Sequence, residues 1–199
     1  MSYTSTTDRA SRDGYNTVLD PLLSWLRRRR IAPYIHRGSS LLDIGCGNGA
    51  LLLSVADMLA HGVGIDRRIA HPIVHGNIRL IGGSVDTALP FADNSFDTAV
   101  LLAVLEHLEH PDIALREIAR VLRPGGNVLI TVPTKRARPV LEFLAFRIGI
   151  ISREGVADHK RYYTKPLLTE VLHREKFIVT KMSFFEAGFN LFAAATKPL

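Results

Sequence analysis

The chain has 199 residues, 47% hydrophobic and 22% charged, which excludes an intrinsically disordered polymer and is long enough for one self-supporting core. A single cysteine excludes an internal disulfide, no apolar run approaches the ~20 residues that span a bilayer, and the first residues lack the apolar stretch of a secretory signal, so a cytoplasmic protein is expected. Twenty-five basic against 19 acidic residues leave a charge of +6, which suits an acidic partner, yet no zinc-finger, RRM or KH pattern singles out nucleic acid.

Residues 1 to about 14 are polar and read as loose. Asp20-Pro21 then predicts a helix with Asp20 as N-cap and Pro21 in the first turn; Leu22, Leu23 and Leu26 form its apolar stripe, and it ends before Pro33. Arg27 to Arg30 fall at its C-terminal end, where cations suit the helix dipole, and read as a solvated face, with attraction to an acidic partner as the alternative.

Leu41-Leu42-Asp43-Ile44 reads as a buried central strand that runs into Gly45-Cys46-Gly47-Asn48-Gly49 and, from Ala50, into a helix. The free N–H groups of that helix start attract negative charge, so the turn can hold an anionic ligand group. Gly62 to Asp66 is a second strand ending in an acid, and Asp66 stands 21 residues after Gly45, the spacing at which a carboxylate accepts the hydroxyls of a ribose. These residues also satisfy the relaxed dinucleotide pattern, and an NAD-dependent oxidoreductase is one reading. Asp43 and the third glycine at 49 count against it: a pyrophosphate would be repelled by a carboxylate, whereas a ligand with an amino group would be attracted. The D-x-G-x-G-x-G form resembles the first motif of class I S-adenosylmethionine-dependent methyltransferases. That resemblance implies that Asp43, Gly45, Cys46 and Gly47 hold the amino-acid end of S-adenosylmethionine and Asp66 its ribose.

Only 11 residues, Arg67 to Asn77, separate Asp66 from the next strand near Ile78 to Ile81, too few for a full crossover helix. This departs from the family pattern, and Arg67 and Arg68 stand in on that side of the adenosine. Gly82 to Asp97, which contains Leu89-Pro90-Phe91-Ala92-Asp93-Asn94-Ser95-Phe96-Asp97, resembles the G-D-A-x-x-L-P-F-x-D-x-S-F-D run of type 11-like small-molecule methyltransferases. The resemblance implies Asp86 as the adenine partner with the Val85 backbone beside it, Ser84 being the alternative. Thr98 to Ala103 is an apolar buried strand, and since ligands of open α/β sheets gather beyond the carboxyl ends of strands, Ala103, Glu106 and His107 should lie near the reacting atoms, with His107 a candidate base. Pro111 opens a helix closed by Arg120 to Gly125, and Gly126 to Pro133 is the next strand; Arg120-Val121-Leu122-Arg123-Pro124-Gly125-Gly126 again resembles the same family.

Residues 134 to 165 interrupt the alternation of strand and helix. Pro139 starts a predicted helix through Ile151 that is apolar nearly all round, so it must bury both faces, cover an apolar substrate or meet a membrane surface. Asp158 to Thr164 is similar to a segment preceding the penultimate helix in methyltransferases of quinone, sugar and polyketide biosynthesis, which implies a catalytic His159 and a substrate site at Arg161, Tyr162 and Tyr163. Pro166 to Lys176 is a helix, and Phe177 to Phe185 with Phe189 to Thr196 form a hairpin around Glu186-Ala187-Gly188.

The expected architecture is a single α/β domain with a Rossmann-like, seven-stranded methyltransferase sheet, mostly parallel, closed by a C-terminal antiparallel hairpin and covered by helices on both faces. The expected activity is methyl transfer from S-adenosylmethionine to a small-molecule or lipid-like acceptor, apolar or acidic, with peripheral membrane contact allowed. The alternatives are the NAD-dependent oxidoreductase and a non-catalytic S-adenosylmethionine-binding regulatory protein. Without paired cysteines or obviously clustered ligands, no metal is expected.

Overall fold

The computed structural model describes residues 19–199; the stretch expected to be loose lies outside them. Eight strands, β1 (Ser40–Ile44), β2 (His61–Asp66), β3 (Ile73–His75), β4 (Ile78–Gly82), β5 (Phe96–Leu102), β6 (Leu122–Pro133), β7 (Ile178–Phe185) and β8 (Asn190–Thr196), form one sheet in the order β3-β4-β2-β1-β5-β6-β8-β7. The five strands from β4 to β6 are parallel, and β8 and β7 add the expected antiparallel hairpin. The strand beyond the expected seven is β3, antiparallel to β4. It takes the place of the crossover helix for which residues 67–77 are too few: Gly76, at φ +56°, lets the chain fold straight back into β4.

Strand residues alternate between two cores. Leu42, Ile44, Ala99, Leu101, Val128, Ile130, Ala193 and Ala195 pack with α3 (Pro111–Val121) and α6 (Lys165–Arg174). Leu41, Val100, Leu129, Phe192 and Ala194 pack with α1 (Asp20–Ile31) and α2 (Ala50–Val55) on the opposite face. The chain progresses outward in both directions from β1, so the crevice of the fold opens above β1 and β5.

Helix α1 begins one residue earlier than Asp20 as N-cap would require: Leu19 is the N-cap and Asp20 the first helical residue. Its basic run is not a solvated face. Only Arg29 is exposed. The Arg30 guanidinium donates to the Ser183 hydroxyl and lies 4.8 Å over the Phe192 ring, while Arg28 donates to Ser24 at 2.7 Å. Because α1 lies against the sheet, these long stems cover apolar surface on the way to their partners.

The predicted helix to Ile151 is split. Helix α4 (Ala137–Glu142) passes into a π-helical turn (Phe143–Ile148) that stops at Gly149, φ +77°, and the Leu144 carbonyl accepts from both Gly149 and Ile150. Its apolar residues do not bury both faces: Phe143, Phe146 and Ile148 are 55, 47 and 51% exposed, while Ala145 packs with Ile151 and Val156 in a small third core touched by Leu19 and Leu23 of the α1 end. An unanticipated α5 (Arg153–Ala157) follows, its first turn capped by Ser152 Oγ, which accepts from the Gly155 N–H at 3.1 Å. The whole excursion closes on itself where Thr134 bridges to Tyr163 and Lys160 N–H donates to the Glu106 carbonyl at 2.9 Å.

Candidate active site

A cleft of about 420 Å³ opens at the carboxyl ends of β1, β2 and β5. Its floor is the glycine turn after β1. Gly45 has φ +70°, and a β-carbon there would stand 2.5 Å from Val104 Cγ2; Gly49, φ +77°, immediately precedes α2, and a β-carbon on it would meet Leu80 Cδ1 at 2.7 Å. Both positions therefore need glycine for conformation and for space. The Gly45 and Cys46 N–H groups donate to the Ile65 carbonyl at 2.8 and 3.2 Å, which ties the turn to the end of β2.

Asp66 ends β2 beside this turn, almost fully buried. It accepts from Gly47 N–H at 2.8 Å and from Arg68 N–H and Nε–H at 3.0 Å each. Burial alone would raise its pKa, but these Arg68 and Gly47 bonds outweigh it and hold the carboxyl below the ordinary aspartate value. Asp43 sits on the α1–α2 side of β1, 3% exposed, and is not among the cleft-lining residues. Burial first, and the neighbouring Asp66 charge second, push its carboxyl up to about 8, against an opposing pull from Arg28. Burial, with Asp43 and Asp66 nearby, likewise raises the Cys46 thiol.

Of the cofactor residues expected from sequence, Gly45, Asp66, Arg67, Val85, Asp86 and Ala103 line the cleft; Asp43, Cys46 and Gly47 do not, although Cys46 and the half-exposed Gly47 belong to the turn that forms its floor. Ser84 and Asp86 lie together: the Ser84 hydroxyl donates to Asp86 Oδ2 at 3.0 Å and accepts from the Asp86 N–H at 3.2 Å, and both line the cleft. Ala103 takes φ +55°, an uncommon conformation for a residue with a side chain, at the point where β5 turns away beside the cleft.

On the other side, the turn after β5 (Leu105–His107) meets residues 158–163. His107 Nδ1 lies 3.2 Å from Asp158 Oδ2, and Arg67 reaches the same oxygen at 3.9 Å. His159 Nδ1 lies 3.1 Å from the Tyr162 hydroxyl, and the two histidine rings are 4.9 Å apart. Burial lowers His107, opposed by Asp158, and burial with the charges of His107 and Arg27 pushes His159 down to about 4. The expected catalytic pair is thus one cluster of imidazoles that stay neutral at pH 7, and His107 also lines the cleft. Between them Glu106 is 0% exposed, and burial pushes its carboxyl up to about 7.

The expected substrate residues divide. Tyr162 belongs to the histidine cluster. Tyr163 is fully buried in the core, its hydroxyl pointing at the Leu105 carbonyl 3.4 Å away, and Arg161 donates to the Glu109 carbonyl at 3.0 Å outside the cleft. The Tyr163 N–H donates to the Pro133 carbonyl at 3.3 Å, which closes the loop on the end of β6 and holds the ring in the core. Reading the sequence missed Arg68 as the partner of Asp66 and Ser152, Glu154 and Gly155 of the α5 segment as cleft wall. The second omission follows from missing α5, whose signal was the Ser152 cap after Gly149.

Residues 21–181 match the methyltransferase-domain family. The chain belongs to that family. The methyltransferase domain is 30% identical, over 73% of this chain and 66% of the relative, to a ubiquinone biosynthesis O-methyltransferase of Aeromonas salmonicida. It is 34% identical, over 74% of this chain and 68% of the relative, to a demethylmenaquinone methyltransferase of Corynebacterium kroppenstedtii. The chain spans from about a third to two thirds of the length of the first curated relatives it matches. Among solved structures, the 1,6-didemethyltoxoflavin-N1-methyltransferase of Burkholderia thailandensis, crystallised with its substrate and S-adenosylhomocysteine, shares the fold at a TM-score of 0.67 and 18% identity, covering 90% of this chain and 80% of that one. The Rossmann-like sheet with its terminal hairpin is therefore the methyltransferase fold, and the dinucleotide oxidoreductase reading is set aside.

Proposed function

We propose that this methyltransferase domain binds S-adenosylmethionine in the 420 Å³ cleft and transfers its methyl group to a small, largely apolar acceptor. The observation that carries the cofactor reading is the cradle itself: a ligand reaches the Gly45 backbone where no side chain fits, beside a buried, ionised Asp66. Asp66 would hold the ribose hydroxyls, Ser84 and Asp86 with the Val85 backbone the adenine end, and the Gly45–Gly47 turn the amino-acid end. The relatives named for ubiquinone and menaquinone synthesis support an acceptor of quinol type.

When bound, the cofactor supplies a methyl group on a sulfonium, already activated for displacement. The chain's part is alignment and exclusion of water. Ala103 and Val104 line the cleft floor, and Ser152, Glu154 and Gly155 of the α5 segment wall the acceptor side; the neighbouring π-helical turn exposes Phe143, Phe146 and Ile148, an apolar surface suited to a lipid-like acceptor or to the edge of a bilayer. His107 and His159, neutral at pH 7, can accept an acceptor's proton or orient its oxygen. Among the described residues no helix is long and apolar enough to cross a membrane. The lone cysteine is in keeping with work in the cytoplasm.

The test is incubation with isotopically labelled methyl donor and a panel of demethylated quinols, read by mass spectrometry, beside calorimetry with S-adenosylhomocysteine and NAD. Label on a quinol oxygen or carbon, with binding of S-adenosylhomocysteine alone, is the expected result. Binding of S-adenosylhomocysteine without transfer to any acceptor would favour the regulatory reading instead.

A further inference from the structure

We propose that Glu106, His107 and His159 form a binding site for a divalent transition-metal ion of the zinc type at the acceptor end of the cleft. One ligand atom from each of the three side chains lies within 4.8 Å of the others. That is about 1.2–1.5 Å wider than the ~3.3–3.6 Å between neighbouring ligands of a tetrahedral metal at ~2.0–2.2 Å, a contraction that rotation of side chains can supply.

The strongest sign is Glu106. Its side chain is fully buried, and neither carboxylate oxygen has a hydrogen-bond partner among the described residues. A buried carboxylate without a partner is costly, and native proteins rarely leave one so. The charge of nearby Arg27 favours the ionised carboxyl but supplies no hydrogen bond to either oxygen. A cation between Glu106 and the two imidazoles would give the buried carboxylate the partner it lacks.

The second sign is the outer ring of contacts. His107 turns Nδ1 to Asp158 and His159 turns Nδ1 to Tyr162, at 3.2 and 3.1 Å, which leaves Nε2 of each ring as the nitrogen to offer. A metal-bound histidine characteristically donates its other N–H to a carboxylate or similar oxygen, fixing tautomer and ring direction. In the tautomer that donates Nδ1–H to Asp158 and to Tyr162, the pair is oriented as such ligands are.

Two imidazoles and one carboxylate suit zinc, cobalt or ferrous iron, whereas magnesium and calcium prefer oxygen ligands throughout. Three protein ligands leave coordination positions open, and one of the three, His107, lines the cleft. Metal binding itself does not depend on the proposed methyl transfer. A role for the ion in holding an acceptor oxygen does rest on that reading, and with Nε2 of both rings on the metal it would replace proton acceptance by His107 and His159.

The test uses the full chain, stripped with chelator and titrated with zinc(II), and in parallel with cobalt(II) for its visible absorption; magnesium(II) serves as the control. One equivalent of zinc per chain is expected, with perturbed cobalt bands and no competition from magnesium. Glu106→Gln and His159→Ala should each weaken zinc by more than about a hundredfold, and Tyr162→Phe, which keeps every ligand, by about 10–100-fold. Circular dichroism checks that each variant is folded, and Tyr162→Phe carries the test should His159→Ala not fold. Zinc uptake no greater than that of a Glu106→Gln/His107→Ala/His159→Ala variant, or affinity indifferent to all of these changes, would overturn the site. Calorimetry with S-adenosylhomocysteine on the stripped protein separates the two proposals: cofactor binding without metal binding sinks only the metal site, and the converse only the methyl-transfer reading.

Discussion

His107 and Asp158 meet at 3.2 Å although 51 residues separate them in sequence. The contact joins the turn after β5, where the reacting atoms of this fold gather, to the end of the excursion between β6 and α6. Damage on the excursion side should therefore separate acceptor use from cofactor binding. With an acceptor in hand, His159→Ala should lower kcat/KM by about 10²-fold, while affinity for S-adenosylhomocysteine stays within about threefold, roughly 0.6 kcal/mol. Arg161→Ala, whose side chain reaches the Glu109 carbonyl outside the cleft, should leave both within about threefold. Parallel losses of cofactor affinity and turnover in His159→Ala would place that residue in the cofactor site instead.

Asp66→Ala should weaken S-adenosylhomocysteine by about 1.5–3 kcal/mol, the scale of hydrogen bonds to a charged acceptor. Calorimetry reads this directly. The change also frees Gly47 N–H and Arg68, so a fall in melting temperature should accompany it. An unchanged affinity would mean that the ribose is held elsewhere.

Gly45→Ala should both destabilise the fold and impair cofactor binding, because its β-carbon would overlap Val104 Cγ2. Adding Val104→Ala removes the overlap but not the positive φ, leaving about 1–2 kcal/mol of backbone cost. The double variant should therefore be more stable to urea than Gly45→Ala alone. A double variant no more stable than the single would show that backbone conformation, not space, sets the requirement.

The raised Asp43 carboxyl links stability to pH. Its folded pKa, about 8, stands above the ordinary 3.8, so between these values the folded chain keeps a proton that the unfolded chain has lost. Stability of the ligand-free protein should then fall as pH rises from about 4 to about 8 and level off above. Asp43→Asn, which has no charge to bury, should show a shallower decline, so that its advantage over the wild type grows between pH 5 and pH 9 in denaturant titrations. Parallel curves for the two proteins would contradict this.

Most of the sheet was legible because its strands are buried on both faces and read as apolar runs bounded by glycine and proline, as in Leu41 to Gly45 and Gly126 to Pro133. β3 was not, since a three-residue edge strand with Ile73 and Val74 exposed leaves no burial pattern. The glycine turn announced itself by spacing, but which of its neighbours face the ligand depends on strand parity: Asp43 and Leu41 share the α1 face while Ile44 looks to the other. Arg27 read as surface because a helix end was visible in the sequence and the sheet beneath it was not. Glu106, His107 and His159 showed no ligand spacing, for the cluster exists only once the excursion has closed.

That closure has a consequence for how such a protein can diverge. The residues between Thr134 and Tyr163 leave and rejoin the sheet at adjacent points, so the loop can be lengthened, trimmed or exchanged as a cassette without shifting a strand. The glycine turn and Asp66, by contrast, are tied to β1 and β2 and vary only at the expense of the ladder. One half of the cleft is built into the ladder itself, and the other hangs from a loop whose length the ladder does not set.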